Sequence, residues 1–348
     1  MKFWMGVCLA CSAGLGYPGH DPAPAVRSTP SRSVAELAST PVLGFVPGSP
    51  ANELRAVLGI PGALRLSRPV VLPAAVTRIH LAPRHGYALV EQNAPAGVGM
   101  VVLGPELYDA MAVTPLDGAP ATLDVLAFSP TGRAAVLYSR AEGRFAVYTG
   151  LPDAPRLARD VPGDLAAGLP QRLAISDDGR ALVVADEQGW VSVLPPGSGA
   201  VALYHGSDPA ALTFIPESDD LILAERGSPG LVWLRGVTGN LAVLRLPDGG
   251  EGMEGSEALA VTSDRRYVLA ANSSRQRISR MDLESGLVAT AELPVSPRTL
   301  DLTRGPSTYL ISSSDGEPGW LFTWDGSTAA GVFFVPRDPG PQDAWRQE

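Results

Sequence analysis

Few side chains in this sequence have a type and spacing that could do chemistry. The histidines are His20, His80, His85 and His205. They show no metal-ligand spacing, and the chain has no Gly-x-Ser-x-Gly motif to present a serine nucleophile. Asp177 and Asp178 could form a carboxylate pair, but turn chemistry explains them more simply, since adjacent strand residues point to opposite faces. We therefore predict no catalytic residues, no metal site and no cofactor.

Asp177 and Asp178 belong to a repeated pattern of strand, tight turn and strand over residues 174–184. Similar stretches stand at residues 127–137 and 261–270. With the turn glycine or its equivalent as anchor, the copies follow one another every 40 to 47 residues; the anchors are Gly86, Gly132, Gly179, Asp219, Arg265 and Pro306. A period of this length with four strands per unit is typical of β-propeller blades.

Polar residues stand at a fixed distance before these anchors. Eight positions before each anchor are Arg78, Asp124, Gln171, Ala211, Glu257 and Arg298. These positions begin the innermost strands, so the five polar ones are predicted to ring one mouth of the central channel and to bind a ligand. Arg78 and Arg298 suit a carboxylate or phosphate. The alternative is that these polar residues are only hydrated and paired with one another.

A second set of polar residues falls in loops on the same face, between the second and third strands of the units. Its members are Glu91, Glu142, Asp186, Glu187, Glu225, Asn272 and Asp315. This acidic rim could attract a cation or a basic partner. The alternative interpretation is solvated loop charge.

The fold predicted from the repeat is an all-β propeller of four-stranded antiparallel blades over residues 41–336. Six anchors give six blades, and the strand-like stretches 41–46 and 53–59 are interpreted as the third and fourth strands of one more. Seven blades are therefore favoured over six. We expect the ring to close by pairing of N-terminal and C-terminal strands within one blade, because closure removes exposed sheet edges.

The N-terminus has the features of an export signal. Residues 1–13 combine Lys2 with a short apolar run and small residues, which predicts a signal peptide. Cys11 follows Leu9-Ala10 and is the candidate lipidated residue of a lipoprotein signal; the alternative is plain cleavage near Ala13. Residues 14–40 are rich in Pro, Ser and Ala and are predicted to be a linker, and residues 337–348 a flexible tail.

The sequence after Arg265 resembles a known bacterial repeat. Ser263-Asp264-Arg265-Arg266-Tyr267-Val268-Leu269-Ala270-Ala271-Asn272, with Ile278 and Asp282–Gly286, resembles the YVTN-type propeller repeat. Ser176–Arg180 resembles the WD40-like repeats of periplasmic propellers. The resemblance implies a scaffold whose turn residues build blades. One branch of these propellers consists of lactonases, but no residue set can be carried over from it.

Two functions follow from this sequence. The first is an exported, non-catalytic propeller that binds a protein, peptide or glycan through the loops at its channel mouth. The second is a lactonase-like or other metal-dependent hydrolase that uses Asp124 and Glu257 with Ca²⁺ or Mg²⁺. The net charge of −9 argues against nucleic acid as partner. We expect a monomer without a membrane span, located in the periplasm, at the cell envelope or outside the cell.

Overall fold

The computed structural model describes residues 40–104, 111–163, 168–246, 253–311, 319–324 and 329–336. All of them belong to one compact unit that begins at Thr40. The predicted signal peptide with Cys11, the linker up to residue 39, the rim residue Asp315 and the tail 337–348 lie outside the described residues. None of the helical segments in the described ranges has the length and apolarity needed to cross a membrane.

Seven antiparallel sheets form the blades of a β-propeller, which confirms the predicted fold class and the favoured blade number. Blade 1 contains β1 (Val42–Pro47), β2 (Glu53–Ile60), β3 (Ala63–Leu66) and β4 (Val70–Val71). Blade 2 contains β5 (Val76–Leu81), β6 (Tyr87–Asn93), β7 (Ala96–Val102) and β8 (Thr114–Pro115), with a single 3-10 turn, η1 (Pro83–His85), between its first two strands. Blade 3 contains β9 (Val125–Phe128), β10 (Ala134–Ser139), β11 (Arg144–Thr149) and β12 (Arg156–Pro162).

The remaining four blades follow in chain order. Blade 4 contains β13 (Pro170–Ile175), β14 (Leu182–Asp186), β15 (Trp190–Leu194) and β16 (Val201–His205). Blade 5 contains β17 (Pro209–Phe214), β18 (Leu221–Glu225), β19 (Leu231–Arg235) and β20 (Ala242–Arg245). Blade 6 contains β21 (Ala258–Val261), β22 (Tyr267–Asn272), β23 (Arg277–Asp282) and β24 (Val288–Glu292). Blade 7 contains β25 (Asp301–Leu302), β26 (Thr308–Ile311), β27 (Trp320–Thr323) and β28 (Gly331–Phe334).

The second strand of a blade is buried on both faces because each blade lies between two others. Every residue of β10, β14 and β18 is buried, which explains why these strands are continuously apolar until their last residue. Ile175 and Leu182 pack in a cluster with blade 3, whereas Ala174 and Val183 pack in a cluster with blade 5. Successive residues of an inner strand therefore face the preceding and the following blade in turn.

The inner strands give the channel two distinct ends. We call the end where first and second strands are joined the turn end, and the end where the inner strands begin the loop end. The turn of blade 4 lies at the turn end: Asp178 Oδ1 accepts hydrogen bonds from the Ser176 hydroxyl (2.7 Å) and the Arg180 N–H (2.9 Å). Thr262 and Asp264 repeat this arrangement in blade 6. Asp178 is thus a turn residue, as its position in the repeat predicts.

Blade 1 differs from the other six in the identity of its strands. The sequence-based assignment of 41–46 and 53–59 to third and fourth strands is wrong: β1 is a second strand, β2 is a third strand, and β3 and β4 both pair with β2 in the place of a fourth. Leu43 and Phe45 bond residues in the turns of blades 7 and 2, so β1 starts at the turn end. The second strands of the other blades start at the same end. Within the described residues, blade 1 has no innermost strand.

Two groups from the neighbouring blades bond the inner edge of β1 instead. The N–H of Arg304 in blade 7 donates to the Leu43 carbonyl (2.9 Å), and the N–H of Phe45 donates to His85 Nδ1 in blade 2 (2.8 Å). At the outside of the same blade, the N–H of Leu66 donates to the carbonyl of Pro336 (3.3 Å). Within the described residues, the strands of blade 1 all come from the N-terminal part of the chain and those of blade 7 from its C-terminal part, so none of the described sheets combines the two ends.

Candidate functional site

The five predicted ligand residues all lie at the loop end of the inner strands. Arg78 lies in β5 and Gln171 in β13, whereas Asp124 and Glu257 directly precede β9 and β21. Arg298 lies three residues before β25. No hydrogen bond or ion pair joins any two of the five within the described residues, so the structure places them at one mouth without bringing them into contact.

The strand pairing shows that the sequence-based alignment slipped by one residue in two blades. Leu81 pairs with Ala88 and Ile175 with Leu182, so His85, not Gly86, matches Gly179. Thr77 and Ala210 are therefore the structural equivalents of Gln171, and all three are bulge residues of their strands. Arg78 lies one position further along its strand and pairs with Glu91.

Arg78 belongs to a polar cluster in blade 2. Glu91 Oε1 lies 2.8 Å from His80 Nε2 and 3.4 Å from Arg78 Nη1. The Arg78 side chain is 63% exposed, against 19% for Glu91. An ion pair this open is weak, and the exposed guanidinium of Arg78 stays accessible to a ligand.

The two carboxylates proposed as metal ligands are each used within their own blade. Asp124 Oδ2 accepts a hydrogen bond from the Arg140 N–H (2.7 Å), and Glu257 Oε2 accepts one from the Ser273 hydroxyl (2.8 Å). They belong to blades 3 and 6, with the inner strands of blades 4 and 5 between them. Among the described residues, no group of three or more His, Cys, Asp or Glu side chains could hold a metal ion.

Arg298 and Arg78 stand near the starts of the inner strands of blades 7 and 2, which are consecutive among the described inner strands. Arg298 is exposed, and the described part of the chain offers its side chain no hydrogen bond or ion pair. Among the described residues, blade 7 ends the series of inner strands and blade 2 begins it, with the inner edge of β1 between them. The two arginines therefore flank the same interval between described inner strands, which we call the arginine gap.

Several members of the predicted acidic rim are buried turn caps. Asp186, Glu225 and Asn272 are 4%, 4% and 1% exposed. Asp186 Oδ1 accepts the N–H groups of Gln188 and Trp190 (both 2.9 Å). Asp186 and Asn272 accept backbone N–H groups of their own loops, and Glu225 accepts the N–H of Ser207 in the loop before β17 (3.0 Å). These buried side chains contribute little to a charged outer surface.

A cavity of about 220 Å³ lies in the channel, at the opposite end from the predicted ring. It is lined by the last residues of six inner strands and the start of their turns, including Leu81–Pro83, Ala127–Pro130, Leu173–Ile175, Leu212–Phe214, Leu259–Val261 and Leu300–Leu302. None of the five predicted ligand residues lines it. Most of the residues that line it are apolar, but polar atoms make up slightly more than half of its accessible surface.

Asp301 is the acidic residue of this cavity, and sequence reasoning missed it. Asp301 pairs with Leu310, and Leu310 packs on blade 1. Asp301 therefore lies on the side of its strand that faces the following blade. Asp301 is exposed to the channel, and the described part of blade 1 has no inner strand beside it. The surrounding protein still removes much of the water, which raises the pKa of the Asp301 carboxyl; a hydrogen bond of 2.8 Å from the Thr299 hydroxyl acts in the opposite direction.

A sequence signal for Asp301 exists once the blades are aligned. The equivalent positions in blades 3 to 6 carry Ala127, Ala174, Thr213 and Ala260. These four residues are small, but blade 2 has the half-buried His80 at the equivalent position. Among the described blades with an inner strand, only blade 7 has a carboxylate there.

The turn end is rimmed by a network of polar residues that joins blades. Asp177 Oδ1 accepts hydrogen bonds from the N–H (2.9 Å) and hydroxyl (2.5 Å) of Thr131, and its Oδ2 accepts one from the N–H of Glu217 (2.8 Å). Glu217 Oε2 in turn accepts a bond from Arg265 Nη2 (2.9 Å). Asp177 therefore links the turns of blades 3, 4 and 5, and its role is to hold blades together.

No family model and no curated protein matches the chain. Among solved structures, a Bacteroides uniformis protein described as a "putative 6-phosphogluconolactonase" is similar, with a TM-score of 0.55 and 15% identity; the match covers 84% of this chain and 96% of that one. A functionally unknown protein from Desulfotomaculum acetoxidans has a TM-score of 0.54 and 12% identity, covering 86% and 100% of the two chains. At such low identity the likeness shows the propeller fold alone.

Proposed function

We propose that this protein is an exported, non-catalytic binding protein that holds a carboxylate or phosphate group of its partner between Arg78 and Arg298. The observation that supports the proposal is that both arginines are exposed and flank the arginine gap, the interval between the described inner strands of blades 7 and 2. Both guanidinium groups are exposed, and guanidinium forks bind carboxylate and phosphate oxygens in pairs.

A direct test compares two double variants. R78A/R298A removes both cations at the loop end, and R133A/R180A removes two exposed arginines at the turn end as a matched control. The probes are a hexaglutamate peptide, an oligogalacturonate and inorganic phosphate, titrated by calorimetry at low and high salt. We expect R78A/R298A to lose at least about tenfold in affinity, which is roughly 1.4 kcal/mol, and the control to bind like the wild type.

The peptide and the oligosaccharide also distinguish the partner classes. A preference for one of them identifies a protein or a glycan partner, and salt-weakened binding is expected of an ion-paired contact. Equal binding by R78A/R298A and the wild type would rule out the arginine gap as the site.

The alternative function is lactonase-like hydrolysis, which the name of the Bacteroides uniformis protein suggests. The hydrogen bonds of Asp124 and Glu257 within separate blades favour binding over this activity. Hydrolysis of 6-phosphogluconolactone, with and without added Ca²⁺ or Mg²⁺, decides between them. Turnover by the wild type that D124N or E257Q abolishes would establish the enzyme and overturn the proposal.

Export is the part of the proposal that depends on residues 1–40. Fusion of these residues to a reporter that is active only outside the cytoplasm tests it, and mass spectrometry of the mature N-terminus distinguishes lipidation at Cys11 from plain cleavage. C11S would abolish lipidation and leave plain cleavage unchanged.

A further inference from the structure

One carboxylate is shared by two basic side chains beside the arginine gap. Glu91 Oε1 lies 2.8 Å from His80 Nε2 and 3.4 Å from Arg78 Nη1. The side chains of Glu91 and His80 are 19% and 23% exposed, so their contact is better shielded from water than the contact with Arg78. Because a single oxygen serves both neighbours, the charge that Glu91 presents to Arg78 depends on the state of His80.

The strand pairing of blade 2 fixes these three side chains on one face. Arg78 stands directly opposite Glu91 in the pairing of β5 with β6, and His80 follows two residues later on the same face of β5. The Thr77 hydroxyl also donates a hydrogen bond to the Glu91 carbonyl (3.3 Å). The geometry of the cluster therefore comes from the sheet and is set before any ligand binds.

Protonation of His80 changes the formal charge of this cluster. Histidine is the side chain that ordinarily changes charge between pH 5 and 8. A carboxylate only accepts hydrogen bonds, so a neutral His80 donates from Nε2 to Glu91, whose charge then balances that of Arg78. A protonated His80 brings a second positive charge to the same carboxylate, and the cluster changes from neutral to singly positive. An anion at Arg78 is then attracted more strongly.

The other elements packed against His80 bring no further charge into contact with it. On this face of blade 2, the third strand carries Val98 and Met100. Blade 3 packs on the same face through Leu126. The charged residues of blade 3 at the loop end are Asp124, Arg140, Glu142 and Arg144. Among the described residues none of these four forms an ion pair with His80, so Glu91 is the group to which a proton on His80 couples most directly.

We propose that acid strengthens anion binding at the arginine gap, because a protonated His80 takes the charge of Glu91 and leaves that of Arg78 for the ligand. The inference rests on the proposed anion binding by Arg78 and Arg298 and adds the regulation of that site. The coupling is reciprocal, so a bound anion also favours the proton on His80. The protein then holds its partner more tightly in a mildly acidic environment and releases it more readily at neutral pH.

Calorimetric titration of the full chain at pH 5.5 and pH 8 tests this coupling. The probes are an oligogalacturonate and sulfate, which keep their charge over this range, whereas phosphate does not. The wild type should bind both probes about three- to tenfold more tightly at pH 5.5, as expected for one added charge at close distance. H80Q keeps an amide donor for Glu91 but takes up no proton, so it should lose most of this difference. H205Q removes an exposed histidine of blade 4 and should respond to pH like the wild type.

E91Q serves as a second variant because it removes the shared carboxylate at every pH. At pH 8 it should bind the probes about as tightly as the wild type does at pH 5.5. D208N removes an exposed, ion-paired carboxylate in blade 5 and should bind like the wild type. Equal pH responses in H80Q and the wild type, or equal binding by E91Q and D208N at pH 8, would overturn the inference.

The double variant R78A/R298A separates this inference from the function on which it rests. Binding that is independent of pH but lost in R78A/R298A would refute the coupling and leave the arginine gap as the site. Binding that R78A/R298A leaves unchanged would refute the arginine gap itself, and the coupling with it.

Discussion

His85 Nδ1 accepts a 2.8 Å hydrogen bond from the backbone N–H of Phe45, and this bond joins blade 2 to the innermost described strand of blade 1. The imidazole is buried, and its ring stacks on Phe45 at a centroid distance of 6.4 Å. A Cβ on Gly44 would lie 2.8 Å from the same nitrogen, so the glycine lets β1 approach. Arg304 from blade 7 donates to the His85 carbonyl, at 3.2 Å from Nη2. One histidine thus joins blade 2 to blades 1 and 7.

Replacement of His85 should loosen the closure of the ring. H85A removes the acceptor of the Phe45 N–H and leaves a cavity, so we expect it to lower the free energy of unfolding by about 2–4 kcal/mol. Urea denaturation measures this loss, and hydrogen exchange at Phe45 should accelerate. The control H205A removes an exposed histidine that stacks on Trp190, and it should cost less than about 1 kcal/mol. Equal losses in the two variants would contradict a closing role for His85.

Acid should weaken the same closure. Burial and the nearby charge of Arg304 lower the pKa of His85 to about 3, against an ordinary value of 6.5. Between these values the unfolded chain binds a proton that the folded chain does not, so this contribution to stability is complete above pH 6.5 and is lost as the pH falls toward 3. The slope attributable to one such group reaches at most about 1.4 kcal/mol per pH unit.

The contribution of Asp301 to stability changes with pH in the opposite direction. Its pKa is raised, so the folded protein holds the proton up to a higher pH than the unfolded chain does. The two contributions are separated by comparing D301N with H85Q/D301N in urea denaturation series between pH 3.5 and 7. The slope of the free energy of unfolding against pH should be smaller in H85Q/D301N than in D301N. An unchanged slope would mean that other groups cause the acid sensitivity.

Asp177 should matter more for stability than its place in a surface turn suggests. Its carboxylate accepts three hydrogen bonds from the turns of two neighbouring blades. D177A leaves those donors unpaired and should cost about 2–3 kcal/mol, whereas D177N keeps one oxygen acceptor and should cost less. D160A removes a 54% exposed carboxylate that pairs with Arg144, and it should stay within about 1 kcal/mol of the wild type. Thermal denaturation of the three variants should reproduce this order.

The sequence predicts the fold because each blade needs the same buried second strand and the same tight turn, and these features recur along the chain. The candidate site residues depart from the repeat, and the sequence predicts their positions less well. Arg78 was placed one residue out of register because η1 puts His85, with φ of +48°, where blade 4 has Gly179. Asp301 was missed because its position stands out only when the blades are aligned by their strand pairing, which the sequence alone does not show.

Replacement of Gly179 tests whether the turn of blade 4 requires a glycine. Its φ is +72°, and a Cβ there would lie 2.5 Å from Thr149 Cγ2 in blade 3. Gly143 has a similar φ of +62°, but a Cβ would meet nothing within 4 Å. Both alanine variants incur backbone strain of about 1–2 kcal/mol, and G179A should lose about 1–3 kcal/mol more through overpacking.

The double variant G179A/T149S separates the two costs of the Gly179 substitution. Serine lacks the Cγ2 methyl but keeps the hydroxyl that accepts the bond from Arg156 Nε (3.2 Å). The stability of G179A/T149S relative to T149S should therefore fall by about as much as G143A loses relative to the wild type. A loss in G179A that T149S leaves unrelieved would show that the turn is fixed by its backbone conformation, and that the contact with blade 3 adds nothing.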